Sequence, residues 1–283
     1  PYNIVKAIEA AAELDFDAGM KRERELFQEL IESTESAAQR YYFFAEREGA
    51  KVPDLPKGTE TLSVKAVGVI GAGTMGGGIT MNFLNAGIPV TLVEMNQAAL
   101  DRGVAVIRKN YENTAAKGRM TAEQVEARMA LLTPSLDMES LGQADLIIEA
   151  VYEDMGIKQE VFGKLDAIAK PGAILASNTS FLDLDEIASA TARPESVVGL
   201  HFFSPANVMR LLEIVRGAKT SDVVLATALA VAKTIAKVPV VSRVGPGFIA
   251  NRVMSPRSRQ AMELVLEGPS PQEIDAAIYG YGF

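Results

Sequence analysis

The sequence contains no cysteine and a single histidine. The first absence excludes a disulfide framework, a thiol nucleophile and a cysteine-type zinc site, and the second removes most other metal arrangements, so no metal is expected. Basic residues are also scarce, with 28 Lys and Arg against 36 Asp and Glu, a net charge of -8 and a pI near 5.0. Nucleic acid is gripped by clustered Lys and Arg, and no such cluster is present, so it is not an expected partner. Every apolar run is broken by charge well short of the ~20 residues that a spanning helix needs, and no basic segment followed by an apolar one opens the chain. Neither a membrane span nor a secretory signal is expected, and the cytoplasm is the default location. There is no internal repeat and no low-complexity tract. The chain also lacks an initiator Met and stops at Gly-Tyr-Gly-Phe after a helical pattern, which suggests a piece of a larger protein.

What is present is ample apolar material. At 283 residues and 48% hydrophobic composition the chain can bury a full core, with length for two units of ~100–200 residues. Residues 1–50 repeat apolar positions at three- and four-residue spacing and read as helix throughout. The segment KVPDLPKGTE follows, with two prolines and a glycine, and reads as a linker. From Val64 the short β-branched runs KAVGVI, PVTLVE, DLIIEA, GAILAS, SVVGLHFF and VPVVSR alternate with helix-like stretches. That alternation predicts an α/β fold, a Rossmann-type doubly wound and mostly parallel sheet. After GPGF the pattern is helical to the end. The expected domains are therefore a helical lead-in and linker over 1–61, a dinucleotide-binding domain over 62–245, and the start of a helical domain over 246–283.

The stretch VGVIGAGTMGGGI places Gly71, Gly73 and Gly76 between an apolar strand and a helical pattern. In that context the first glycine permits the tight turn, the second lets backbone approach a pyrophosphate, and the third lets helix pack on strand. The helix N-terminus then offers free N–H groups to phosphate. Glu94 ends the next apolar run, 18 residues beyond Gly76, where a carboxylate accepts from a ribose 2′-hydroxyl and repels a 2′-phosphate. NAD is thus expected over NADP, with Arg102 nearby arguing the other way.

In a doubly wound sheet, ligands meet the carboxyl ends of the strands. Those ends deliver Glu153, with Lys158 five residues on; Asn178, Thr179 and Ser180; and His201. The stretch HFFSPANVMRLLE begins with the one histidine and ends on Glu213, a carboxylate set among Leu211, Leu212, Ile214 and Val215, which is costly to bury unless paired. A reversal near residues 205–208 would make an antiparallel pair centred on position 207, with His201 and Glu213 opposite each other on one face. A glutamate on one imidazole nitrogen fixes the tautomer and leaves the other free to take a proton from a substrate hydroxyl, as hydride transfer to NAD requires. A core histidine with a structural ion partner remains the alternative on spacing alone. Ser180 could equally be a turn donor, and Asp183 could cap the next helix.

The stretches VGVIGAGTMGGGI, EAVYEDMGIKQEVF, ASNTS, HFFSPANVMRLLEIV and GPGFIANRV, in that order, resemble the L-3-hydroxyacyl-CoA dehydrogenases, and especially the dehydrogenase part of the multifunctional fatty-acid β-oxidation α-subunit. The likeness spans roughly residues 62–283, and the lead-in resembles the last helices and linker after the hydratase half of those two-headed proteins. It implies NAD-dependent oxidation of (S)-3-hydroxyacyl-CoA to 3-ketoacyl-CoA, with His201 as base, Glu213 as its orienting partner, and Ser180 and Asn251 on the substrate oxygen. On the cofactor side it implies Gly71, Gly73, Thr74, Met75 and Gly76, then Glu94, Val151, Glu153, Lys158 and Ser180. Ser204 stands where many relatives have an asparagine near the nicotinamide. It also implies an acyl-CoA thioester substrate, a hydratase activity upstream, a thiolase β-subunit as partner, and a homo-oligomer formed through a C-terminal region of which only the first two helices are present. A freestanding 3-hydroxybutyryl-CoA dehydrogenase is a rival reading, opposed by the lead-in helices. A dinucleotide-binding domain without turnover is another, opposed by the set Ser180, His201, Glu213 and Asn251.

Overall fold

A computed structural model describes residues 1–282, and the chain divides after Lys51 into two compact units. Residues 1–51 are helical as expected and form three helices: α1 (Tyr2–Glu13), α2 (Phe16–Ile31) and α3 (Thr34–Gly49). The breaks fall at residues suited to start a helix. Asp15 accepts from the N–H of Ala18, and Ser33 from that of Ser36, each satisfying a donor that a helix start leaves free. α3 buries no residue, and Tyr41, Tyr42, Phe43 and Phe44 are all exposed.

The second unit takes in the proline-containing segment 52–61 read as a linker: Val52 and Leu55 pack on its core, and the N–H of Leu62 donates to Thr227 Oγ1 at 2.9 Å. Asp54 pairs with Arg243. The elements then run β1 (Val67–Ile70), α4 (Thr74–Asn85), β2 (Val90–Val93), α5 (Gln97–Ala116), α6 (Ala122–Met129), β3 (Leu132–Ser135), β4 (Leu146–Glu149), α7 (Met155–Ile168), β5 (Ile174–Ser177), α8 (Leu184–Ala188), β6 (Val197–Phe202), β7 (Leu211–Arg216), α9 (Asp222–Thr234), β8 (Val238–Arg243), α10 (Ala250–Glu267) and α11 (Pro271–Tyr281).

The strands form one eight-stranded sheet in the order β3-β2-β1-β4-β5-β6-β7-β8, parallel except between β6 and β7. β1, β4, β5 and β6 are buried along their whole length, as strands covered on both faces must be. Val69 and Ile148 face a core shared with α4, α5 and α9, while Ile147 and Leu175 face a second core shared with α7 and α8. The sheet is thus doubly wound, and its strand order reverses at β1 and β4, where such folds open a crevice for ligand. One strand was not expected. β3 (LTPS) buries only Leu132, so its sequence shows no alternation, and Pro134 is tolerated because β3 is an edge strand.

Candidate active site

The glycine-rich loop lies at the reversal point. Gly71 has φ +100°, a conformation that favours glycine, and a Cβ there would stand 2.7 Å from the carbonyl oxygen of Ala150 after β4. At Gly76 a Cβ would be 1.8 Å from the oxygen of Gly71, so only glycine lets α4 close on the loop. At Gly73 a Cβ would meet nothing within 4 Å. The space beside it is a cavity of about 430 Å³, bounded among others by Thr74, Glu94, Arg102, Pro205 and Asn207.

Capping separates the helices around this site from the rest. In the second unit, α5, α6, α7, α8, α9 and α11 all begin with a side chain that accepts from the first turn, including the predicted cap Asp183 on α8. Only α4 and α10 do not. Gly73 has no side chain to offer, so the first N–H groups of α4 face open space, as an anion-binding helix start requires. Glu94 is fixed beside them: Oε2 accepts from the N–H of Ala72 at 3.0 Å and Oε1 from that of Met95 at 2.8 Å. The residues present therefore fit a dinucleotide, with the pyrophosphate at Gly73 and Thr74 and a ribose at Glu94. Met75 packs partly buried against the core.

The first N–H groups of α10 go to a carboxylate instead. Glu213 Oε1 accepts from Ile249 N at 3.1 Å and Ala250 N at 2.8 Å, while Oε2 lies 2.7 Å from His201 Nδ1. β6 and β7 pair with His201 opposite Glu213, the predicted register, and both side chains are buried. Burial pushes the Glu213 carboxyl up, but the bonds from His201, Ala250 and Ile249 outweigh it and hold the group below the usual glutamate range. The His201 ring is packed by Phe203 and Phe248, with centroids at 4.4 and 5.7 Å. Phe248 itself is buried and has φ +51°, a strained setting for a non-glycine residue. The GPGF turn is thereby fixed between the imidazole and α10, and Asn251 follows in the first turn of that helix.

A second network underlies the end of β4. Glu149 is fully buried and Lys158 nearly so, with Lys158 Nζ 2.6 Å from Glu149 Oε1 and 3.3 Å from Glu153 Oε2. Glu149 also accepts from Val151 N at 2.8 Å and from Ser177 Oγ at 2.7 Å. Glu153 Oε1 takes three donors, Thr179 Oγ1 at 2.6 Å, Ser180 N at 2.7 Å and Phe181 N at 3.1 Å. Burial raises the Glu153 carboxyl, and the hydrogen bonds from Thr179 and Ser180 and the charge of Lys158 bring it below its ordinary value. Of the residues expected on the cofactor side, Lys158 and Glu153 are thus bound to each other, Glu153 to the loop that carries Ser180, and Val151 to Glu149. Asn178 Oδ1 accepts from Phe202 N at 2.9 Å and stitches that loop to β6 beside His201. Phe181, next to Ser180, and Gly247 and Arg252, flanking Asn251, share a cavity of about 390 Å³. Ser204 is exposed in the β6–β7 turn, joined to Pro205 by a cis peptide bond.

Sequence reasoning missed Glu149. The signal was available, since it is a carboxylate closing an apolar run, like Glu213, with a lysine within reach of one helix turn beyond. Gly103 was also missed: a Cβ there would lie 2.4 Å from the oxygen of Ala72, so α5 packs directly on the cofactor loop.

A phosphate-ready helix start, an acidic ribose site and a buried imidazole–carboxylate pair on one doubly wound sheet define a dinucleotide-dependent oxidoreductase. The sequence matches the family model for the 3-hydroxyacyl-CoA dehydrogenase NAD binding domain over residues 66–244, and that for the 3-hydroxyacyl-CoA dehydrogenase C-terminal domain over 247–283. The chain belongs to the 3-hydroxyacyl-CoA dehydrogenase family. It is 41% identical over 284 residues to the human peroxisomal bifunctional enzyme, covering 99% of this chain and 39% of that protein. It is 38% identical over 283 residues to the Arabidopsis thaliana peroxisomal fatty acid beta-oxidation multifunctional protein MFP2, covering 100% of this chain and 39% of that one. The chain thus spans about two fifths of the length of these curated relatives. Among solved structures it is similar to FadB2 of M. tuberculosis, with TM-score 0.76 and 34% identity over 78% of this chain and 79% of that one. The dehydrogenase part of multifunctional enzyme 1 from C. elegans gives 0.64 and 34%, over 82% and 54%.

Proposed function

We propose that this chain is the dehydrogenase part of a multifunctional β-oxidation protein and oxidises (S)-3-hydroxyacyl-CoA to 3-ketoacyl-CoA. One observation carries the reading: Glu213 spends one oxygen on the α10 N–H groups and the other on His201 Nδ1, which leaves Nε2 free. NAD, when bound, supplies the hydride acceptor. His201 takes the hydroxyl proton at Nε2 as the carbinol hydride departs, and Glu213 stabilises the imidazolium that results. Ser180 and Asn251 hold the substrate oxygen; the first is placed by Glu153, the second by the helix start fastened to Glu213. The Glu149–Lys158–Glu153 network is the rigid floor under the Ser180 loop.

The relatives' names, bifunctional and multifunctional, support a further activity in the parent protein; the resemblance of the lead-in makes an enoyl-CoA hydratase half the proposed one, against which the exposed aromatics of α3 would pack. A thiolase β-subunit and a homo-oligomer belong to the same proposal. Residence in the cytoplasm is proposed from composition, and the peroxisomal relatives make an organelle the competing outcome of imaging the tagged full-length protein. The reaction is tested by NADH absorbance. The full-length protein with (S)-3-hydroxyacyl-CoA and NAD should form NADH, and binding of NAD without turnover would contradict the reading.

A further inference from the structure

Glu213 accounts for how Nδ1 of His201 is held, but not for how Nε2 is aimed. Two torsions place an imidazole, and the second, about the bond to the ring, has only broad preferences. One hydrogen bond, from Nδ1 to Glu213 at 2.7 Å, leaves the plane of the ring free to swing. Two phenyl rings supply what that bond lacks. The centroid of Phe203 lies 4.4 Å from that of the imidazole, with the planes tilted by 46°, and that of Phe248 lies 5.7 Å away, tilted by 56°. Both are contact distances for aromatic rings.

Phe248 holds its place against backbone preference. It ends the turn 245–248, which Phe248 N closes by donating to the carbonyl of Gly245 at 3.1 Å. Gly247 has φ +68° and Phe248 φ +51°, so two consecutive residues are left-handed. The first is a glycine, where a Cβ would stand 2.9 Å from that of Asn251. The second carries a Cβ at a disfavoured angle, although a glycine would close the same turn with less strain. Its ring is the reason: it is 4% exposed and fills the space between the second core and the imidazole. The next two N–H groups, of Ile249 and Ala250, are those that hold Glu213 Oε1. Three successive residues therefore act on the pair, one on the imidazole ring and two on the carboxylate.

We propose that Phe248, with Phe203, is a positioning residue for the base: the two rings fix the plane of the imidazole and so aim Nε2 at the substrate hydroxyl, a task that the hydrogen bond to Glu213 cannot perform alone. The effect on rate rests on the dehydrogenase reading, and the effect on the imidazole does not. Phe248→Leu keeps apolar bulk in the core and removes the flat ring. In the full-length protein it should lower kcat about tenfold, with KM and NADH affinity close to wild type. Phe203→Leu, at the half-buried ring, should act in the same direction and guards against a Phe248 variant that fails to fold. Added to His201→Gln, either change should leave the residual kcat as it is, because a residue that acts through the imidazole then has nothing to aim. A purely structural side chain would cost as much in both backgrounds, and that result would overturn the proposal, as would an unchanged kcat in both single variants. The ring itself is read by NMR. The 283-residue chain has one histidine, so a carbon-13 label at histidine Cε1 gives one signal. Its order parameter should fall in Phe248→Leu while Nδ1 still donates to Glu213. Unchanged order would overturn the proposal whether or not the wild-type protein forms NADH, whereas a wild-type protein that forms none sinks the dehydrogenase reading alone.

Discussion

A methyl group on Gly76 would stand 1.8 Å from the Gly71 oxygen, whereas one on Gly73 would meet open space. Two substitutions of equal size therefore fail differently. Gly76→Ala should cost about 3 kcal/mol or more in denaturant unfolding, because backbone must move. Gly73→Ala should fold normally and weaken NADH binding in calorimetry, because its methyl enters the pyrophosphate space; equal stability losses for both would contradict this account. Glu213 makes a pH prediction. Its folded pKa lies below the ordinary value, so it contributes stability at neutral pH that is lost as pH falls below about 4.3 and through the folded value. Acid unfolding of Glu213→Gln should be shallower than wild type in that window, and identical slopes would count against it. The His201–Glu213 pairing was legible because a hairpin is symmetric about its centre, so one reversal at residue 207 fixes the partner. The α10 N–H groups on Glu213 were not legible, since they come from 36 and 37 residues away and depend on tertiary packing.

At the scale of elements, β1, β4, β5 and β6 announced themselves as apolar runs between helical stretches, because strands buried on both faces must be apolar throughout, and β2 and the edge strand β8 were legible from their valines. β3 did not, since it lies at the edge and buries only Leu132, and the break at Ser33 was hidden inside a long helical pattern. The Glu149–Lys158 contact joins β4 to α7 across nine residues and is enclosed. Glu149→Leu leaves the buried Lys158 only the more exposed Glu153 at 3.3 Å, so it should destabilise by about 3 kcal/mol, and Lys158→Met added to it should restore much of the loss. Denaturant titration of the two single variants and the double variant measures this, and additive losses would show that the pair is not a unit.

At the scale of the molecule, every site residue named above lies in residues 52–283, a unit with its own cores. Deletion of residues 1–51 should leave NADH affinity unchanged in calorimetry, and loss of binding would place part of the site in the helical lead-in. The doubly wound fold, the cofactor loop and the base pair were read from local patterns, while the network under Ser180 and the contact of Phe248 with His201 exist only once distant segments meet. The central claim is that His201 and Glu213 act as one catalytic unit. The most direct test is steady-state turnover of the full-length protein carrying His201→Gln, Glu213→Gln, or both. His201→Gln should lower kcat by ~10²–10⁴-fold with NAD affinity intact. Glu213→Gln should lower kcat as well, because the imidazole loses the group that orients it and stabilises its charge as the proton is taken. The double variant should be little worse than His201→Gln alone. A fully active His201→Gln protein, or strictly additive losses, would contradict the account.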